Sequence, residues 1–511
     1  MMHSSMKHIL ILFSFFISIV SIAADVNVTS YGAIADGKTV NTLAIQNAID
    51  ACSRQGGGRV IFPKGIWVSG TILLKNDVHL FLDEEATLLG STDISDYQLV
   101  EGFKDGRGAS MGYSFIGAKD VSNTGIRGKG KINGNGKLLL EKHGRSKRPF
   151  LVRFVRCTNV IVSDVQMEGP AAWTMHFFEC KKVIAERIII RSRGLSNNDG
   201  IDIDCSQNVI VRNCDIDSGD DAICLKATGP LPTKDVEIYN CKINTNQGAF
   251  KLGTESVGNF ENINIHDCTV DETKGIKLYS VDGAHLKNLS ISNITINKTT
   301  LPILIRLGAR LRTFREGDTK KPVGIIDGIN IKNISVKQAT QMAVLISGIP
   351  GHPVKNVNIS NLLVHLPGKG TIEQAGVELP EVESDYPEVT MFGKNMPAYG
   401  LYIRHGEKIS MKNITIKLDS ADARPAIVCI DQKDISFDDL VLPVNQSEEP
   451  LIRLRDTRNA SIKNIKTTTK PLTFLKVEGS SDQIILKANK PSISLGNGVK
   501  ENAVRVIKSR N

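Results

Sequence analysis

Residues 208–216 read Asn-Val-Ile-Val-Arg-Asn-Cys-Asp-Ile, and the same arrangement returns at 235–243 and at 262–270. Each copy alternates apolar with polar residues and carries a central Asn or Asp followed by Cys. The copies start 27 residues apart, and the next one starts 26 residues later, at Asn288. Period-2 alternation inside a repeat of this length is typical of a solenoid in which each repeat forms one turn of strands.

The repeat predicts an all-β fold, a single-stranded right-handed parallel β-helix. Apolar positions should point inward, and the Asn or Asp residues should lie at bends that need a left-handed backbone. Cys214, Cys241 and Cys268 occupy the same place in their repeats. We therefore interpret them as a stacked interior column, and not as disulfide or metal-binding residues.

The ends of the solenoid should be covered, because an open β-helix exposes unpaired strands and core. Ile45, Ala48, Ile49 and Cys52 have the spacing of an amphipathic helix, so residues 25–58 are predicted as an N-terminal cap. Residues from about 470 to 511 are predicted as the last coils and a C-terminal cap, so 25–511 form one domain. The intervals 297–327 and 366–400 exceed the repeat and predict long loops on the flank, where binding grooves are built.

Residues 1–24 have the features of a secretory signal peptide. Lys7 and His8 precede an apolar run from Ile9 to Ile22, which ends near small residues. The run is short for a membrane span, although an uncleaved anchor is the alternative interpretation. We therefore expect a secreted or periplasmic protein that is free of the membrane once the leader is removed.

The charge of the chain also limits its partners. The net charge is +9, of which Lys7 alone lies in the leader, so +8 remains. The charge is spread along the chain, with no basic helix or aromatic-rich basic patch of the kind that binds nucleic acid. It mildly favours an acidic partner such as a polyuronide.

Three carboxylates fall close together in the predicted fold. Asp199 lies in Asn197-Asn-Asp-Gly, and Asp220 and Asp221 follow Gly219 about one turn later. Crowded carboxylates raise one another's pKa, so that one group can hold a proton while another activates water. A solvated ladder of Asp residues and a calcium site are the alternatives that the pattern leaves open.

The next two turns continue the polar column. They place Gln247 and Lys251, and then Lys277 and Tyr279, on the same side of the predicted helix. A column that crosses four turns would line a groove suited to a linear chain.

The chain resembles the polygalacturonases, the pectin hydrolases of glycoside hydrolase family 28. Its Asn197–Gly200 segment is similar to the family's Asn-Thr-Asp-Gly motif, and Gly219-Asp220-Asp221 matches the Gly-Asp-Asp motif. The resemblance implies acid/base-catalysed inversion at α-linked galacturonic acid, with Asp220 as general acid and with Asp199 and Asp221 activating water. It implies no cofactor or metal, an acidic plant cell-wall polysaccharide as substrate, and a monomer. The implied substrate-binding residues are Asn197, Lys226, Gln247, Lys251, Lys277 and Tyr279.

Two family motifs are altered in this chain. The Gly-His-Gly motif corresponds to the segment around Gln247, and Arg-Ile-Lys to Lys277-Leu-Tyr279. In the family the basic pair holds a uronate next to the cleaved bond, whereas Tyr has no charge and Lys lacks the fork of Arg. Either the leaving group is a neutral sugar such as rhamnose, as in rhamnogalacturonan, or Lys251, Arg306 or Arg310 supplies the charge.

Two rival functions remain at this point. The first is a polysaccharide lyase on the same architecture, which would need a basic catalyst and usually Ca²⁺. The second is a non-catalytic, pectin-binding β-helix. The sequence does not distinguish endo from exo cleavage.

Overall fold

The computed structural model describes residues 24–444 and 447–508. The predicted leader therefore lies outside the described residues except for its last position. The predicted fold class is confirmed, because strands one turn apart pair in parallel along the chain. Val209 pairs with Val236, Val236 with Ile263, and Ile263 with Leu289. Each such turn, called a rung below, stacks on the next in the register that the repeat predicts.

The strands fall into three groups along the chain. Those before the carboxylate cluster are β1 Ala24–Asn27, β2 Asp36–Val40, β3 Gly58–Phe62, β4 Gly65–Ser69, β5 Ile72–Leu73, β6 Val78–Leu82, β7 Ala86–Gly90, β8 Gln98–Lys104, β9 Ser110–Lys119, β10 Ser122–Gly128, β11 Lys131–Asn133, β12 Phe150–Val155, β13 Thr158–Ser163, β14 Gln166–Glu168, β15 Met175–Phe178, β16 Lys181–Glu186 and β17 Ile189–Arg191. The central group is β18 Ile201–Asp204, β19 Gln207–Arg212, β20 Asp215–Ser218, β21 Ile223–Ala227, β22 Thr233–Tyr239, β23 Lys242–Thr245, β24 Gly248–Ser256, β25 Phe260–Thr273, β26 Gly275–Ser280, β27 His285–Thr299 and β28 Ile303–Leu307. The last group is β29 Ile325–Ala339, β30 Val344–Ser347, β31 Val354–Leu366, β32 Leu401–Leu418, β33 Ile427–Leu442, β34 Ile452–Thr467, β35 Leu475–Glu478, β36 Asp482–Lys487, β37 Ile493–Leu495 and β38 Val504–Ile507.

Short helices interrupt the strands. The α-helices are α1 Thr42–Arg54, α2 Gly136–His143 and α3 Ile372–Ala375, and the 3₁₀ helices are Val28–Tyr31, Ile94–Asp96, Val389–Phe392 and Glu501–Ala503. The predicted capping helix is confirmed as α1, which buries Ile45, Ala48, Ile49 and Cys52 against the first strands. Among the described residues, no helix has both the length and the apolar character needed to cross a membrane.

The Asn and Asp residues of the repeat lie at bends, as predicted. Asn208, Asn262 and Asn288 have φ near +55°, in the left-handed region that Asn tolerates better than most residues. Their side chains also bond from rung to rung. Asn288 Nδ2 donates to Asn262 Oδ1 at 2.7 Å, and Asn262 Nδ2 donates to Asp235 Oδ1 at 2.9 Å. The ladder therefore satisfies amide groups while fixing the backbone at each bend.

The interior of the helix is apolar and continuous from end to end. Cys214, Cys241 and Cys268 lie buried on successive rungs, and the backbone N–H of Cys241 donates to Cys268 Sγ at 3.4 Å. These three residues form the stacked interior column that the repeat predicts.

The two long intervals form loops on one flank. The first runs from 308 to 324, and the second runs from 367 to 400 and contains α3. The second loop covers the outer face of five rungs, from β26 to β33, with an apolar cluster in which Leu379, Phe392 and Met396 pack with residues such as Tyr279, Leu304 and Tyr402. This loop also forms part of the wall of the candidate site.

Candidate active site

A cavity of about 290 Å³ crosses seven successive rungs, from Trp173 to Gln341, on the flank that carries the loops. Seven of the nine predicted site residues line it. Its walls are Asp105, Gly106, Arg107, Trp173, Asn197, Asp199, Asp220, Asp221, Lys226, Gln247, Lys251, Glu255, Lys274, Thr300, Gln341, Tyr386, Glu388, Val389 and Thr390. The structure therefore brings the three carboxylates together in one concave site.

Two bends between strands present the carboxylates. Asp199 precedes β18, and Asp220 and Asp221 lie between β20 and β21. The side chain of Asn198 holds the first bend, because its Nδ2 donates to the carbonyls of Pro170 and Ala172 at 3.0 Å. The two bends are joined by the N–H of Asp220, which donates to the Asn198 carbonyl at 3.3 Å.

Asp221 is held as an anion. Its Oδ2 accepts from Lys251 Nζ at 2.7 Å, and its Oδ1 accepts from the Gly248 N–H at 2.8 Å. Burial opposes the charge, but the ammonium groups of Lys251 and Lys277 outweigh it and lower the pKa of Asp221 to about 2. Asp221 is therefore ionised throughout the physiological range.

The pKa of Asp220 is shifted in the opposite direction to that of Asp221. Burial raises the pKa of Asp220, and the negative charge of neighbouring Asp221 raises it further. Its carboxylate accepts from the N–H groups of Asp221 at 3.0 Å and Asn197 at 3.3 Å. Two adjacent carboxyls thus differ in proton affinity, which is how one site can provide both an acid and a base.

Asp199 shares a buried network with Lys226. The Lys226 ammonium lies 3.7 Å from Asp199, 3.5 Å from Asp202 and 3.3 Å from Glu255. It also lies 4.3 Å from the ring centroid of Trp173. Burial, together with the charges of Asp202 and Asp220, raises the pKa of Asp199 well above its ordinary value. The Lys226 ammonium is therefore the one cation that compensates three buried carboxyl groups in this network. Ionising all three would carry a large cost in free energy.

The donors present fit a metal ion poorly. Asp199, Asp202 and Cys224 have ligand atoms within 4.8 Å of one another. The Lys226 ammonium, however, already lies within 3.7 Å of both carboxylates. A calcium ion would also prefer six to eight oxygen ligands to a group that includes a buried thiol.

Asn197 and Gln247 flank the carboxylates on the cavity wall. Asn197 has φ +58°, and its Oδ1 accepts from Arg148 at 3.0 Å. The Gln247 carbonyl accepts from Thr273 Oγ1 at 2.7 Å, which fixes the backbone at this point of the cavity wall. Both residues are thus placed to contact a ligand.

Lys277 and Tyr279 are the two predicted site residues that are not among the cavity-lining residues described above. Lys277 is paired with Glu388 from the second long loop. Tyr279 is fully buried in the apolar cluster beneath that loop, and its hydroxyl has no hydrogen-bond partner among the described residues. The strand does point both side chains outward, as predicted, but the loop covers this face.

Two of the three residues considered as substitute cations are also engaged elsewhere. Arg306 bonds Ser347 Oγ at 2.7 Å and the Gly348 carbonyl at 3.0 Å. Arg310 bonds Asp282 Oδ1 at 2.9 Å and Asp282 Oδ2 at 2.5 Å. Lys251 does line the cavity, but its ammonium is bonded to Asp221.

Several residues of the cavity wall were not predicted from the sequence. Glu255 lies one rung after Lys226 but 29 residues later, because the register between β21 and β24 shifts there, so the 27-residue period does not indicate it. Arg107, Tyr386 and Glu388 come from loops outside the repeat, where the sequence has no period to follow. Arg107 lies 5.3 Å from the ring centroid of Tyr386, so the two loops meet above the carboxylates.

Comparisons with known proteins agree on one family. The sequence model described as Glycosyl hydrolases family 28 matches residues 52–385. A probable polygalacturonase of Vitis vinifera is 27% identical over 372 residues, which cover 68% of this chain and 75% of the relative. An exo-poly-alpha-D-galacturonosidase of Dickeya chrysanthemi is 26% identical over 382 residues, 62% of each protein.

Solved structures share the fold. The exopolygalacturonase of Thermotoga maritima superposes with a TM-score of 0.60 and 21% identity over 77% of this chain and 92% of that structure. A family 28 exopolygalacturonase of Yersinia enterocolitica gives a TM-score of 0.54 and 20% identity over 93% of this chain and 78% of its own. Because the family match extends over well more than half of the sequence, this chain belongs to glycosyl hydrolases family 28.

Proposed function

We propose that the protein hydrolyses the glycosidic bond of α-linked galacturonic acid in pectin, with inversion at the anomeric carbon. The observation that carries this proposal is the pair of adjacent carboxyls in one cavity, Asp220 with a raised pKa and Asp221 held as an anion by Lys251. Relatives named as polygalacturonases support a pectic substrate.

The proton transfers follow from these two states. Protonated Asp220 gives its proton to the glycosidic oxygen as the bond to the anomeric carbon breaks. Asp221, the ionised carboxylate, takes a proton from the water that attacks that carbon from the opposite face, as inverting glycosidases require, and Asp199 helps to position that water. The released sugar carries the proton of Asp220, and the site returns to its starting state when the proton gained on the base side is passed back through solvent.

The remaining features of the proposal concern the setting of the reaction. The substrate is an acidic cell-wall polysaccharide or its oligosaccharides, the enzyme acts as a monomer, and the leader directs it out of the cytoplasm. Nucleic acid, membrane, cofactor and metal have no part in the proposed reaction.

A lyase on the same architecture is less well supported. Lyase chemistry needs a basic group free to remove a proton from carbon. Lys226 and Lys251 are buried, ion-paired and have raised pKa values, so both are protonated. A binding protein without activity would have no need for two neighbouring carboxyls of opposite proton affinity.

The test compares the wild-type protein with Asp220→Asn and with the control Asp215→Asn, in which an outward carboxylate paired with Arg191 is neutralised. Oligogalacturonides and rhamnogalacturonan oligosaccharides are incubated with each protein, and the first product anomer is identified by proton NMR. We expect an inverted anomer from the wild type and the control, and a loss of at least about 10³-fold in Asp220→Asn. An unsaturated product that absorbs ultraviolet light, or binding without product, would overturn the proposal.

A further inference from the structure

Lys277, the cation that the family resemblance assigns to a substrate carboxylate, already has a carboxylate partner. Its ammonium donates to Glu388 Oε1 at 3.0 Å and to Glu388 Oε2 at 2.8 Å. The Lys277 side chain is 3% exposed, whereas that of Glu388 is 24% exposed and lines the cavity. What a sugar would meet at this position is therefore the carboxylate of Glu388.

Contacts on either side of Glu388 hold it in place. Tyr386, two residues earlier, bonds Thr254 through its hydroxyl at 3.0 Å. Phe392, four residues later, packs in the apolar cluster on Tyr279. The loop is thus fixed at both sides, and Glu388 keeps both oxygens on Lys277.

The other residues that line the cavity near Glu388 provide little positive charge. Thr300, Gln341 and Thr390 are neutral, and Lys274 and Arg107 are exposed to solvent, where a cation contributes little to binding a carboxylate. Tyr279, which replaces the second cation of the family motif, is buried beneath Glu388. This end of the cavity therefore has no buried, unpaired cation among the described residues that line it.

We propose that Glu388 is a specificity-determining residue, which neutralises Lys277 and makes the subsite beside it favour a neutral sugar over a uronate. The inference rests on the proposed hydrolysis of galacturonic acid bonds. A uronate in this subsite would face a fixed carboxylate, and it could reach Lys277 only by displacing Glu388 from a mostly buried ion pair. A neutral sugar is not repelled by Glu388 and does not need to displace it from Lys277. Its hydroxyl groups can form hydrogen bonds with the paired groups.

The test measures kcat/KM for two oligosaccharides of equal length, one of galacturonate alone and one that alternates galacturonate with rhamnose. The quantity of interest is the ratio of the first kcat/KM to the second. We expect Glu388→Gln to raise this ratio about tenfold or more, because Lys277 becomes available to the uronate. The matched control is Glu383→Gln, an exposed carboxylate of the same loop that is not among the cavity-lining residues.

A second variant moves the ratio the other way. Lys277→Gln leaves Glu388 negative and unpaired, so the ratio should fall below that of the wild type even if Glu388→Gln folds poorly. Unfolding curves show whether each variant is folded. A ratio that stays constant in both variants, or that changes equally in Glu383→Gln, would overturn the inference while leaving the proposed function intact. If the wild type forms no product from both oligosaccharides, the proposed function is overturned, and this inference with it.

Discussion

Lys251 and Asp221 form a nearly fully buried ion pair, with Nζ and Oδ2 2.7 Å apart. The two residues lie on adjacent rungs, where the sequence places them 30 residues apart. The Gly248 N–H donates a hydrogen bond to the other oxygen of Asp221. The pair therefore fixes both the position and the charge of the group to which we assign the base-side role.

Replacing Lys251 by Met should damage stability and activity together. The variant leaves Asp221 buried with much less compensation, so we expect the free energy of unfolding to fall by about 3–5 kcal/mol. Burial would then raise the pKa of Asp221, and the acidic limb of the kcat/KM profile should move to higher pH. Urea denaturation and a pH profile measure the two effects. Lys242→Met, an exposed change on the same rung, is the control, and an unmoved acidic limb in Lys251→Met would contradict the assignment.

The same pair predicts how the wild type responds to acid. The pKa of Asp221 is about 2 in the folded protein, against an ordinary value of 3.8. A lowered pKa stabilises the folded state above the ordinary pKa, and this contribution is lost as pH falls from about 4 to about 2. The loss is about 2 kcal/mol at the usual 1.36 kcal/mol per pKa unit. Denaturation measured across this range should show this step in the wild type and a smaller one in Lys251→Met.

Asp220 should set the alkaline limb of the wild-type profile. Its active form is protonated, so kcat/KM should fall as pH rises through its raised pKa. Burial is the main cause of the rise, and salt screens a buried group weakly, so the limb should hardly move between 0.05 and 0.5 M salt. The measurement is kcat/KM against pH at both salt concentrations. A profile with no alkaline limb, or a limb that shifts strongly with salt, would argue against Asp220 as the acid.

The repeat predicted those parts of the molecule that obey it. Asp199, Asp220 and Asp221 lie at equivalent bends of adjacent rungs, so their spacing alone brought them together. Tyr279 also points outward, as its alternation requires. Its burial depends on a loop that begins more than 80 residues later, and no period in the sequence indicates where such a loop folds back.

The ion pair between Lys277 and Glu388 was also beyond what the repeat can predict. Glu388 lies 111 residues after its partner Lys277, in a stretch without repeat, so the sequence could not show that the cation is already neutralised. Asp202, by contrast, follows Asp199 within the repeat and could have been noticed. Its importance depends on complete burial beside Lys226, which a pattern of polar residues does not reveal.

The Asn ladder should contribute to stability through the backbone as well as through its bonds. Asn288 has φ +56° and donates to Asn262 at 2.7 Å. Asn288→Ala loses the bond and also the amide that lets Asn tolerate the left-handed region, each worth about 1 kcal/mol, whereas Asn288→Gly loses the bond but has no Cβ to strain there. We therefore expect urea denaturation to rank the wild type above Gly, and Gly above Ala. Equal stability of the two variants would mean that the bend conformation is not what selects Asn.

Asp202 should make the wild type less stable as pH rises, and Asp202→Asn should remove that dependence. Burial raises the pKa of Asp202 to about 8, from an ordinary value of 3.8. A carboxyl with a raised pKa stabilises the folded state below the ordinary pKa, and this contribution is lost as pH rises toward the folded pKa. The free energy of unfolding of the wild type should therefore decline between pH 5 and pH 8 by up to about 1.4 kcal/mol per pH unit, relative to the variant.

Asparagine suits this comparison because it reproduces the shape of the carboxyl without its charge. Both oxygens of Asp202 lack a hydrogen-bond partner among the described residues, and the nearest charge, the Lys226 ammonium, lies 3.5 Å from Oδ1. Denaturation of the wild type, Asp202→Asn and the outward control Asp215→Asn at pH 5, 7 and 9 measures the effect. The advantage of Asp202→Asn over the wild type should grow with pH, while Asp215→Asn should follow the wild type. A constant difference across this range would mean that Asp202 is ionised throughout and that Lys226 compensates its charge fully.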